Sequence, residues 1–304
     1  MSIKNYKVAA ALATFCTLLW GTAFPFIKVG YAQFGIEGND IGSKLLFAGA
    51  RFTLAGIMVL FIFLVKNKHL PKIEKNGIMP VMLLGSVQTF GQYIFTYIGI
   101  GFTSGANTSV ITACATFFTV LFAPLFFKSD KLNICKIIGC VLGFCGVLCV
   151  NSGGGVTVDT LFGDFMILMS TLSAAGNFIS KGIVRDREPI SVTGFQLLFG
   201  GILLLIAGFV TGGKLDFSSI KGLLVLLWLA FVSAAAFAIW TALLKHHPAS
   251  RICVFNLLVP VFGTLLSGIM LGESVFGIET IVSVVLICAG IFISNMQIKK
   301  RCER

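Results

Sequence analysis

The sequence predicts an all-α polytopic membrane protein of ten transmembrane helices. Three observations lead there: the composition, the length and spacing of the apolar runs, and the sorting of basic residues between them. Of 304 residues, 57% are hydrophobic and 12% charged, against about 25% charged in a soluble domain. Such a chain would expose too much hydrocarbon to stay dissolved. In lipid, backbone groups find no water, so only helices or closed barrels can span. The apolar runs here are continuous and do not alternate, which selects helices.

The runs fall at 8–31, 42–65, 77–98, 102–127, 134–151, 161–181, 191–211, 222–244, 250–271 and 275–297. Each is near the ~20 residues that cross ~30 Å of hydrocarbon. The first carries Pro25 and Lys28 and runs past signal-peptide length, so it is read as a retained helix. The second carries Arg51 about ten residues in, and the third Gln88, Gln92 and Tyr93. The fourth holds Asn107 and Pro124. The fifth carries Gly139, Gly143 and Gly146, a face that lets helices approach closely. The sixth is small and polar-rich, with Asn177 and Lys181. The eighth carries Phe237 and Trp240, and the ninth Asn256 and Pro260.

With the N-terminus inside, 18 of 23 lysines and arginines fall on inner segments, and the outer loops hold only Lys44, Lys214 and Lys221. Lys28 and Arg51 stay within spans. Every inner loop is basic, which predicts cytoplasmic N- and C-termini. The net charge of +11 has the same origin, so no nucleic-acid partner is expected. Nine cysteines include no metal-type CxxC pair. Cys135, Cys140, Cys145 and Cys149 sit in or beside one apolar run, as small packing residues.

The chain also reads as a duplication. An offset of 144 pairs Leu83 with Leu227, Phe118 with Phe262, Val141 with Val285, and Gly146 with Gly290. Earlier in the chain an offset of 153 pairs Lys28 with Lys181. Residues 1–151 and 152–304 would each hold five helices. An odd number per half forces opposite directions, the inverted-repeat plan of many transporters.

The stretch Leu19-Trp-Gly-Thr-Ala-Phe-Pro-Phe-Ile-Lys28 opens the first half, and Ala50-Arg51-Phe52 follows in the second run. Phe102-Thr-Ser-Gly-Ala-Asn-Thr-Ser109 begins the fourth, and Pro260, Leu271-Gly-Glu273 and Gly290 close the second half. In order and spacing these resemble the EamA family of the drug/metabolite transporter superfamily, over nearly the whole chain. The resemblance implies two inverted five-helix repeats around a central cavity. It lines that cavity with helices one to four and six to nine. It also implies alternating-access transport of amino acids, related metabolites or drugs, often as export, in a bacterial cytoplasmic membrane. Ser173 stands where Trp20 does in the first half, and Thr116 where Pro260 does in the second, so the halves differ in chemistry.

Arg51 leads the candidate site. A charge deep in a span costs about 2.5–3.5 kcal/mol on insertion scales, so it should face the interior or a wet cavity. Its planar fork suits a solute carboxylate, and it suits helix-end carbonyls equally. Gln88 and Gln92, four apart, share a face with Phe95. They line a cavity or bond neighbouring helices. Asn107, Asn177 and Asn256 give one amide each to the fourth, sixth and ninth helices, as glue or as ligand contacts. Trp20, Phe237 and Trp240 suit an aromatic wall or ordinary core. Pro25 and Pro260 are candidate hinges, because proline removes a backbone donor and loosens the preceding turn. Lys28 and Lys181 suit snorkelling to an interface.

No carboxylate lies deep in a span: Asp164 and Glu273 are near span ends, and His69, His246 and His247 near the inner surface. Facilitated diffusion or exchange therefore competes with proton antiport. No P-loop motif appears, and no cofactor or metal is expected. The sequence also lacks the nucleophile–base or metal constellation of an intramembrane enzyme and the continuous polar lining of a channel. The expected partners are a small solute and the bilayer, with the chain a monomer or homodimer.

Overall fold

The computed structural model describes residues 3–69, 71–112, 114–127, 132–150, 158–272 and 278–295, and every regular element among them is helical. Helix α1 spans Tyr6–Gln33, and the Asn5 side chain caps it by accepting from Lys7 N at 2.9 Å. Helix α2, Ile41–Asn67, is capped by Asp40, which accepts from Ser43 N at 2.9 Å. Helix α3 covers Lys75–Gly99 and passes through a π-helical turn at Gly85–Gly91. Helices α4 (Gly105–Thr112), α5 (Cys114–Phe126) and α6 (Ile134–Val150) follow.

Helix α7, Val158–Val184, contains a 3₁₀ turn at Leu172–Ala174. Helix α8, Pro189–Val210, opens on a proline, which is pre-set for the first helical position. Helix α9 spans Ile220–His246, and α10, Ala249–Leu271, contains a 3₁₀ turn at Val254–Leu257. Helix α11 covers Ile278–Asn295.

Helices α1, α2, α3, α7, α8, α9 and α10 are each long and apolar enough to cross a bilayer. The molecule exposes large apolar side chains such as Phe61, Val65, Phe209 and Phe292. A soluble protein would hide such a surface; here it is the face turned to lipid. The chain is a polytopic helical membrane protein.

Lipid offers helices little hydrophobic drive to associate, so small residues decide which pairs fit closely. Helices α2 and α8 run antiparallel on two glycine rows with seven-residue spacing, Gly42, Gly49 and Gly56 against Gly208, Gly201 and Gly194. A Cβ at Gly49 would lie 2.5 Å from Leu205 N, and one at Gly56 would lie 2.6 Å from Leu198 N. Gly139 on α6 meets the Gly290 carbonyl on α11 in the same way, so the glycine face foreseen on the fifth run packs inside the chain. Helix α1 lies against α9 and α10, and α3 lies against α7.

Lys44 differs from its reading as an outer-loop residue. It sits in the first turn of α2, fully buried. Its ammonium donates to the Gly38 carbonyl and stands 4.7 Å from the Phe102 ring centre. A carbonyl and an aromatic face replace water there. At the far end of α1, Lys181 donates to the His247 carbonyl at 2.6 Å, and His247 Nε2 lies 2.9 Å from the Ile3 carbonyl.

Candidate functional site

A cavity lies among α1, α2, α3, α4, α5, α7, α9 and α10. Its free space is about 110 Å³, on a measure where one water needs about 10–15 Å³. That is room for a handful of waters or one small solute.

Of the residues singled out from the sequence, Trp20, Arg51, Gln88, Gln92, Tyr93 and Asn177 line it, as do Phe237, Trp240 and Asn256. Asn107 belongs to α4, but its side chain lies outside the described residues. Phe95, expected on the glutamine face, is instead exposed.

Arg51 is 1% exposed. Its Nε donates to Leu229 O at 3.1 Å and to Ser233 Oγ at 2.9 Å, both on α9. Its Nη1 donates to the Tyr97 hydroxyl on α3 at 2.9 Å. The guanidinium thus bridges three helices, and Phe52 and Tyr93 rings lie 4.9 and 6.0 Å from its centre. Nη2 makes no hydrogen bond among the described residues, and no carboxylate there pairs with the side chain. Its Nε and Nη1 thus hold helices together, and Nη2 lies on a residue that lines the cavity.

The amides form a loose relay. Gln196 Nε2 donates to Gln88 Oε1, Gln88 Nε2 to Asn177 Oδ1, and Trp240 Nε1 to Asn177 Oδ1, each at 3.4 Å. These lengths exceed the 2.7–3.2 Å of firm N–H···O bonds, so each link is weak. Trp20 meets Phe237 and Trp240 edge-on, at centroid distances of 5.6 and 4.9 Å, which makes the aromatic wall real. Two buried polar atoms on lining residues have no partner among the described residues, the donor Trp20 Nε1 and the acceptor Asn256 Oδ1.

Three helices change winding where they meet the cavity. Gln88 rides on the π turn of α3, Ser173 lies in the 3₁₀ turn of α7, and Asn256 in that of α10. Pro260 explains the last. It has no N–H to offer the carbonyl of Asn256, so the α pattern fails there. Helix α1 runs unbroken through Pro25.

Sequence reasoning missed Tyr97 and Ser233, which hold Arg51, and Gln196, which extends the relay. A lone tyrosine, serine or glutamine in an apolar run carries no signal of what lies across the bundle. The glycine rows of α2 and α8 did carry one, a repeated seven-residue spacing.

A bundle of apolar helices around a small, partly polar cavity with one buried cation is the architecture of a membrane solute carrier. The profile of the EamA-like transporter family matches residues 7–152 and 161–296. The chain belongs to the EamA-like transporter family. It is 27% identical to an uncharacterized transporter of Bacillus subtilis, YoaV, over 94% of this chain and 96% of that one. It is 28% identical to a "probable amino-acid metabolite efflux pump" of Salmonella typhimurium, over 93% of each. An inner membrane transporter of Escherichia coli K12, YedA, is 25% identical over 91% of this chain and 87% of its own. A crystal structure at 18% identity superposes with a TM-score of 0.76 over 95% of this chain and 97% of that one, a likeness of fold.

Proposed function

We propose that the chain is a secondary transporter that exports small amino-acid-like metabolites by alternating access. The observation that carries the substrate class is Arg51, a buried cation beside the cavity with free donors and no carboxylate partner among the described residues. A solute carboxylate supplies the missing charge, and charge-assisted bonds of this kind are among the stronger ones. Trp20 Nε1 and Asn256 Oδ1 offer one further donor and one acceptor. The apolar part of the solute rests against Trp20, Phe237 and Trp240. The Salmonella relative's printed name agrees with this class.

The architecture in this proposal is ten helices in two inverted five-helix repeats, residues 1–151 and 152–304, with both termini cytoplasmic. The cavity lining supports it. The offset of 144 relates Tyr93 to Phe237, Thr96 to Trp240, Thr112 to Asn256 and Ala115 to Val259. The offset of 153 relates Trp20 to Ser173 and Phe24 to Asn177. All twelve of these residues line the cavity. Helix pairing repeats too: α1 packs on α9 as α7 packs on α3. Hinge motion is assigned to Pro25 and Pro260.

A drug-efflux carrier of the same fold is the second reading, favoured by the aromatic wall; a cationic drug is disfavoured by Arg51. Counterflow in vesicles of purified protein separates the two. Vesicles preloaded with small amino acids should accumulate labelled amino acid. Counterflow with cationic drugs alone would replace the first reading by the second.

A further inference from the structure

We propose that the chain binds one anionic phospholipid along α8, one of its two acyl chains in a groove between α3 and α8 and its phosphate against Lys66 and Lys72. The inference is independent of the transported solute.

Two depressions lie end to end on one stripe of α8. The apolar one, about 380 Å³, is lined by Ile78 and Met82 of α3 and by Phe195, Leu198 and Ile202 of α8. The polar one, about 370 Å³, is lined by Lys66, His69, Lys72, Glu188 and Ser191. Ser191, Phe195, Leu198 and Ile202 are spaced three or four apart, so they share a helix face, and Glu188 extends it by three. The depressions also adjoin along the chain, since Lys72 lines the polar one and Ile73 the apolar one. Among the described residues the groove stays open: Ile78, Met82 and Ile202 are 47, 37 and 41% exposed.

Length fits a single leaflet. From Ser191 to Ile202 the helix rises about 16 Å at 1.5 Å per residue, roughly half of the ~30 Å hydrocarbon core. Charge fits an anion. The polar depression sets Lys66 and Lys72 against one carboxylate, Glu188, and Glu188 Oε2 is already taken by Ser191 N at 2.6 Å. Basic pockets between transmembrane helices near the membrane surface hold anionic head groups, and each lysine adds to the attraction. A zwitterionic head group would bring its own cation to the same lysines and lose that gain.

The test is native mass spectrometry of the purified protein after equilibration with equal phosphatidylglycerol and phosphatidylcholine. Wild type should retain phosphatidylglycerol over phosphatidylcholine on the order of tenfold. The double variant Lys66→Ala, Lys72→Ala should retain both alike. The control Lys68→Ala, Lys75→Ala removes the same charge from the same connection but touches neither depression; it should behave as wild type. Equal retention of both lipids by wild type, or equal losses in both double variants, would overturn the proposal. So would displacement of the bound lipid by soluble glycerol phosphate, which would make the polar depression a site for free phosphate.

Discussion

The Arg51 guanidinium donates to the Tyr97 hydroxyl at 2.9 Å, joining α2 to α3 beside the cavity. Tyr97 in turn accepts through its backbone carbonyl from the Tyr31 hydroxyl at 3.0 Å. Arg51 is therefore linked, through two tyrosines, to the end of α1.

Replacing Arg51 by Ala should weaken counterflow of carboxylate solutes. Bonds to a charged group are worth about 1.5–3 kcal/mol, so the half-saturating concentration should rise at least about tenfold. Arg51→Lys should rescue only partly, because a point charge cannot reproduce the planar fork. Unchanged counterflow in Arg51→Ala would remove the arginine from solute binding.

Tyr97→Phe deletes one partner of Arg51 and leaves Ser233 and Leu229 in place. The protein should stay folded. Solute affinity should weaken by about 1 kcal/mol, roughly fivefold, read as a shift in half-saturation with little change in maximal flux.

Trp240→Phe removes a hydrogen bond of 3.4 Å and exchanges the buried indole for a smaller phenyl ring. Such a long bond contributes little, so the loss of thermal stability should be that of the missing ring volume, about 1–2 kcal/mol. A larger loss would mean that the amide relay is tighter than its distances indicate.

Gly49→Ala should destabilise by about 1–3 kcal/mol, seen as a lower melting temperature in detergent, because the new Cβ meets backbone at 2.5 Å. Gly182→Ala is the contrast. Nothing lies within 4 Å of its Cβ position, so the variant should gain up to about 1 kcal/mol of helix propensity.

Single cysteines in a cysteine-free background test the orientation. A cysteine replacing Asp216, on the exposed connection after α8, should react with an impermeant maleimide on intact cells. One replacing the exposed Lys72 should react only after permeabilisation. The reverse result would invert the topology.

The positions of the seven long helices were legible because each of those apolar runs reports directly how far the chain stays in hydrocarbon. Arg51 and the amides stood out for a related reason: a polar group in such a run needs a partner. Which partner was not legible, since Ser233 and Leu229 lie about 180 residues away along the chain. The burial of Lys44 was also hidden, because a lysine near a helix end usually reaches water and this one is turned onto Gly38 and Phe102. The π turn at Gly85–Gly91 contains no proline to announce it.

The glycine rows of α2 and α8 bring backbone against backbone along the length of both helices. Neither helix can slide or tilt without losing that fit, so the two act as one rigid spar. In the proposed alternating access, movement would fall to the other helices, α1 at Pro25 and α10 at Pro260 among them, pivoting about a keel that stays still.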